Sequence, residues 1–361
     1  MKIYVYAICK NESAHAAAWM ASMGEADGVF VLDTGSEDDT VERLTAAGAS
    51  VTRETITPWR FDAARNRSLE LVPEDGDLCV CTDLDEVFHP GWRAALERAW
   101  QPGITRVRYR YTWSFRPDGS EGTVFWCDKI HARHGYRWRA PVHEFLQRLP
   151  GQGPEHAADA EGVQLDHHPD PSKSRGQYLP LLEQWAAESP DDSRAMHYLG
   201  REYLYYGRWS DCIGTLERHL TLPSSTWAEE RCASMRYLAR AWQGLGDSGT
   251  AQRWLWRAVG EAPHLREPYV ELARLLYCQE EWDGVVYLTR RALAIVRQPR
   301  SYLCEEKAWG SLPWDLLCLG LFHTGRTAEA LDAAEHALAL APDDPRLAGN
   351  VALLRAMTGR P

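Results

Sequence analysis

From about residue 171 onward the chain repeats itself, and no other feature constrains its fold as strongly. Leu199-Gly200…Tyr203…Gly207-Arg208-Trp209…Leu216…Leu220…Pro223 is answered by Leu238-Ala239…Trp242…Gly246-Asp247…Ala251…Ala258…Pro263. Two more copies follow, Leu272-Ala273…Tyr277…Trp282…Ala292-Leu293…Pro299 and Leu319-Gly320…Gly325-Arg326…Ala330…Ala337-Leu338…Pro342. The spacing is irregular but centres near the roughly 34 residues of one helix pair. Small residues let two helices approach, a glycine closes the first helix and a proline stops the second. Such a pair cannot bury its apolar face alone, so the copies are expected to stack into a curved all-α solenoid. The stretch 300–313 breaks the period, which predicts an irregular helix or loop there.

The first part of the chain has a different rhythm. Apolar runs at 2–8, 28–32, 50–53 and 77–82 predict strands, and helix-period segments at 14–24, 39–47 and 61–71 separate them. This β-α-β alternation predicts an α/β domain, Rossmann-like, with a mostly parallel sheet. Arg-, Tyr- and Trp-rich segments at 104–113 and 124–131 predict further strands. Two domains are therefore expected, 1–170 and 171–361, with the boundary just after His168-Pro169-Asp170-Pro171.

Composition narrows the partners. Forty Lys and Arg face fifty-one Asp and Glu, a net charge of −11, which counts against a DNA partner without a local basic groove. The nine cysteines form no regular framework and no CxxC pairs, as in a reducing compartment. The chain has no run of apolar residues long enough to span a bilayer, and Met1–Tyr6 lacks signal-peptide anatomy. A cytoplasmic protein without a membrane partner is the expectation.

Three strand ends carry polar turns: Cys9-Lys10-Asn11-Glu12, Asp33-Thr34-Gly35-Ser36 and Asp83-Leu84-Asp85-Glu86. In an open α/β sheet, ligands bind beyond the carboxyl ends of the strands, so all three should open on one edge. Carboxylates at i and i+2 of an extended segment point the same way and suit a hard divalent cation. Asp83 and Asp85 have that spacing, although a solvated acidic turn produces the same pattern. No GxGxxG follows the first strand, so a dinucleotide fold of the glycine-rich kind is not indicated. The aromatic run Tyr109, Tyr111, Trp113, Phe115, Trp126, Tyr136 and Trp138 is expected either to line a cleft or to pack in the core.

Ala7-Ile8-Cys9-Lys10-Asn11-Glu12, Leu32-Asp33-Thr34-Gly35-Ser36-Glu37-Asp38, Phe61-Asp62-Ala63-Ala64-Arg65-Asn66 and Asp83-Leu84-Asp85-Glu86 resemble, in order, the motifs of family-2 glycosyltransferases with the GT-A fold. A tetratricopeptide tail recurs in one branch, which includes the peptide S-glycosyltransferases of glycocin biosynthesis. The resemblance implies a metal-dependent transfer from a nucleotide sugar, UDP-glucose or similar, to a peptide or protein acceptor held by the repeats. It implies that Asp33 and the Cys9–Glu12 turn (Cys9, Lys10, Asn11, Glu12) contact the nucleoside. Arg65 and Asn66 would approach the base and diphosphate. Asp85 would hold Mn²⁺ or Mg²⁺, with Asp83 acting through water or the ribose. A later histidine, His167 or His168, would be a further metal ligand. Glu144 would be the base of an inverting transfer, with Asp128 in reserve. Alternative readings are a saccharide or modified DNA base as acceptor, and a non-catalytic tetratricopeptide scaffold. The repeats would serve equally for a homodimer.

Overall fold

A computed structural model describes residues 1–116, 118–171, 173 and 175–360. The chain divides into two compact units, Met1–Trp185 and Ala186–Pro361.

The first unit opens as β1 (Ile3–Cys9), α1 (Ala16–Ser22), β2 (Gly28–Asp33), α2 (Thr40–Ala46), β3 (Ser50–Arg53), α3 (Phe61–Glu70) and β4 (Leu78–Cys81). It continues as β5 (Glu86–Phe88), α4 (Trp92–Ala99), β6 (Arg106–Thr112), β7 (Val124–Ala132), β8 (Tyr136–Arg139), β9 (Phe145–Arg148) and β10 (Ala157–His167). The helix α5 (Tyr178–Glu188) carries the chain across the division. Eight strands form one sheet in the order β3-β2-β1-β4-β7-β6-β10-β5, and β8 pairs with β9 apart from it. All seven residues of β1 are buried, which is why its sequence reads as a continuous apolar run. Its period-two alternation sends Ile3, Val5, Ala7 and Cys9 into a core with Trp19, Leu44 and Trp92. Tyr4 and Tyr6 go to the opposite face, beside Leu69, Trp138 and Leu146.

The expected mostly parallel sheet is corrected to a mixed one. β1 pairs in parallel with β2 and β4, and β2 with β3. But β7 runs antiparallel to both β4 and β6, and β5 antiparallel to β10. The cause is local: among the described residues of the link 113–123 between β6 and β7 there is no crossover helix, and such a return can only pair antiparallel.

The second unit is helical: α6 (Ser193–Tyr205), α7 (Trp209–Thr221), α8 (Ala228–Gly244), α9 (Ser248–Glu261), α10 (Glu267–Cys278), α11 (Trp282–Leu293), α12 (Leu312–His323), α13 (Thr327–Leu340) and α14 (Pro345–Thr358). Each helix packs on the next, and the first helices of successive pairs also pack together, α6 on α8, α8 on α10 and α10 on α12. Gly200 shows why small residues recur: a Cβ there would lie 2.3 Å from Leu216 Cδ2. Gly207, Gly246 and Gly325 take left-handed φ of 69°, 83° and 75° between the helices of three pairs, and in the third pair Glu280 occupies that conformation at φ 61°. The interrupting stretch holds a single 3₁₀ turn, Glu306–Ala308. Among the described residues no helix is long and apolar enough to cross a membrane.

Candidate functional site

The parallel register of β1, β2 and β4 brings Cys9–Glu12, Asp33–Ser36 and Asp83–Glu86 to one sheet edge. His167 joins them, because β10 runs parallel to β6 and β7 is antiparallel to both β6 and β4.

Each expected residue has a definite place. Asp33 is fully buried and organises its own turn: it accepts from Gly35 N (3.3 Å), Ser36 N (3.1 Å) and Arg53 Nε (3.2 Å). Burial raises its pKa, but the hydrogen bonds from Ser36, Gly35 and Arg53 outweigh it and the carboxyl sits below its usual range. The Cys9 thiol lies 3.6 Å from Asp33, and burial followed by that negative charge pushes it far up, so it is a neutral thiol. Asn11 laces the two turns together, its N–H donating to Ser36 Oγ and its Oδ1 accepting from Glu37 N. Lys10 is exposed. Glu12 pairs with Lys173; burial raises its pKa, and Asp85 adds to the rise against Lys173. Among the described residues Glu12 Oε2 has no hydrogen-bond partner although it is buried.

Arg65 is the hub. Entering from the first turns of α3, it is 3% exposed and donates through Nη2 to Asp83 Oδ1 and through Nε to Glu144 Oε1, both at 2.7 Å. Its guanidinium lies over the Trp138 ring, 5.3 Å from the centroid. Lys129 of β7 supplies a second cation, 3.1 Å from Asp83 Oδ2 and 2.9 Å from Glu86 Oε1, and Tyr111 Oη donates to Glu86 at 2.8 Å. Burial would raise the Asp83 pKa, but Arg65 and then Lys129 hold it well below the carboxylate range. Glu86 goes the other way: burial and the neighbouring Asp83 charge raise it despite Lys129. Sequence reasoning missed Lys129 and Glu86. The available signal was a lone lysine amid the Trp, Cys and Ile of a strand.

Asp85 stands apart from that network. Its Oδ2 lies 3.4 Å from His167 Nε2, and His167 Nδ1 meets the Trp113 carbonyl at 3.0 Å. Burial lowers the His167 pKa, but the hydrogen bonds to Asp85 and Trp113 prevail and it is raised. The two histidines separate cleanly, since His168 is exposed and stacks on Phe115 at 5.6 Å. The other expected residues serve the framework. Asn66 bonds the Trp138 backbone through Nδ2 and Oδ1, both at 2.9 Å, and Asp128 pairs with Arg106 at 2.9 Å.

No family model matches the chain. Among solved structures it is similar to the MamA protein, at 16% identity over 46% of this chain and 83% of that one, TM-score 0.37. It is also similar to a chain of the APC/C hetero-tetramer Cut9–Hcn1, at 15% identity over 51% of this chain and 33% of that one, TM-score 0.40. Both are tetratricopeptide-repeat proteins rather than glycosyltransferases. Likenesses this distant carry no argument of their own. The resemblance to family-2 glycosyltransferases, the GT-A fold, and the enzyme, UDP-sugar and Asp-x-Asp roles attached to it are withdrawn. The geometry gives the physical reason: Asp83 and Glu144 are spent on Arg65, Asp33 on its own turn and Asn66 on Trp138.

Proposed function

We propose that the chain is a non-catalytic repeat scaffold whose helical unit holds an extended segment of a partner protein. The supporting observation is the row of side chains on the first helices of its pairs, which pack against one another as one surface. Arg201 lies over Tyr198 (4.6 Å) and beside Tyr205 (6.0 Å), and Arg240 over Tyr237 (5.4 Å). Arg236 and Arg240 share Glu271 and Glu305. Tyr205, Tyr206 and Trp227 are 58%, 51% and 42% exposed, leaving flat amphipathic rings for a peptide to lie on. A photoreactive residue at Tyr205 should crosslink a partner in cells, while one at Val296, 86% exposed, should not. Equal crosslinking from both positions, or none from Tyr205, refutes the reading. A crosslinked second copy would make the homodimer the partner.

The first unit would bind Mn²⁺ or Mg²⁺ through Asp85 and His167, with Glu12 Oε2, which has no hydrogen-bond partner among the described residues, on the same edge. Asp83 would not be a ligand, since Arg65 and Lys129 take its oxygens. Mn²⁺ titration followed by electron paramagnetic resonance should show affinity falling more than about tenfold in Asp85→Asn, since losing an oxygen that touches the ion costs at least as much as losing a group that only orients a ligand. Asp83→Asn should have a smaller effect, and the reverse order would refute the assignment.

A further inference from the structure

We infer that the helical unit carries a second, unrelated metal site, a zinc-type centre formed by His197, His219 and Glu230. These come from α6, the last turn of α7 and the first turn of α8, three helices that pack on one another. Each offers one ligand atom, and the three atoms lie within 4.8 Å of one another. His197 and His219 are fully buried and Glu230 is 7% exposed. Imidazole with carboxylate suits Zn²⁺ and its neighbours rather than Mg²⁺ or Ca²⁺.

Two geometric details favour a metal over a plain hydrogen bond. His219 Nε2 and Glu230 Oε1 are 3.3 Å apart, long for a charge-assisted contact of about 2.7–2.9 Å. Ligand bonds of 2.0–2.2 Å at tetrahedral angles place neighbouring donor atoms about 3.4 Å apart, which that separation matches. His197 Nδ1 meets Ser234 Oγ at 2.8 Å, the outer hydrogen bond that orients a ligating imidazole. Ser225 Oγ, 3.0 Å from His219 Nε2, stands beside the remaining position, where it or a water would complete the shell. The ion would staple α6, α7 and α8 at the start of the array.

The test uses the full chain carrying Asp85→Asn and His167→Ala, so that a cation in the first unit is not counted. After chelator treatment, Zn²⁺ is added and bound metal is measured directly, and Co²⁺ is titrated with visible absorption as the readout. One tightly held equivalent is expected, with the absorption bands of a tetrahedral Co²⁺ site. His219→Asn and Glu230→Gln should each weaken Co²⁺ binding more than about tenfold, since losing an atom that touches the ion costs at least as much as losing a group that only orients a ligand. If either variant fails to fold, hydrogen exchange on the background protein decides: Zn²⁺ must slow exchange in α6–α8 and not in α12–α14. Failure to hold the equivalent, unchanged affinity in both folded variants, or unchanged exchange in α6–α8 overturns the proposal.

Discussion

Acid should weaken the first unit through one histidine. His131 sits in β7, fully buried, with Nδ1 2.8 Å from the Ala132 carbonyl and Nε2 2.7 Å from Tyr6 Oη. Trp138 Nε1 donates to the same Tyr6 oxygen at 2.8 Å. The chain of donors runs Trp138 to Tyr6 to His131, and His131 donates its Nδ1–H to the Ala132 carbonyl, which defines a neutral ring. Burial, aided by the Arg106 and Arg133 charges and opposed only by the Ala132 carbonyl, pushes its pKa down to about 3. The unfolded chain titrates near 6.5 and so binds the extra proton between those two values, and stability falls as pH falls through that window. Going from pH 7 to pH 5 crosses about 1.5 units of it at 1.36 kcal/mol each, a loss of about 2 kcal/mol. His131→Gln removes the titration. Urea unfolding at both pH values, read by hydrogen exchange of β1 and β4 peptides, reports the first unit alone. The wild type should lose about 2 kcal/mol more than His131→Gln over this range. Equal losses in the two proteins would refute the reasoning.

Arg65→Met should destabilise the first unit by about 3–5 kcal/mol, because it takes the buried guanidinium from Glu144 and leaves Asp83 with Lys129 alone, and adding Glu144→Gln should restore part of the loss in urea unfolding. Gly200→Ala forces a methyl group into Leu216. It should cost about 1–3 kcal/mol, and combination with Leu216→Val should cost less than the sum of the two. Glu280→Gly relieves the left-handed backbone of the third pair and should raise the stability of the helical unit by about 1 kcal/mol, visible as a higher melting temperature.

Period and punctuation are local properties, and they were legible from residues alone. The alternation in β1, the glycines at 207, 246 and 325 and the switch to helical spacing all follow from the conformations that single residues and their near neighbours allow. The common edge of Cys9–Glu12, Asp33–Ser36 and Asp83–Glu86 followed too, since strand ends in a β-α-β series share a direction. Pairing direction was a different matter. Whether β7 returned parallel or antiparallel depended on the short link after β6, and the mixed sheet decided which charges met.

That meeting settled the site. Lys129 reaches Asp83 and Glu86 only because β7 lies beside β4, and Arg65 takes Glu144 only because α3 packs on β8. Four motifs in a familiar order therefore pointed to a transfer chemistry of whose acids Asp33, Asp83 and Glu144 are already paired within the fold. In the same way His197, His219 and Glu230 share no motif, and three packed helices bring them together. Sequence sets what each residue can offer over a few neighbours; partners far apart along the chain are chosen by packing, and that choice decides whether a carboxylate is a ligand, a base or a brace.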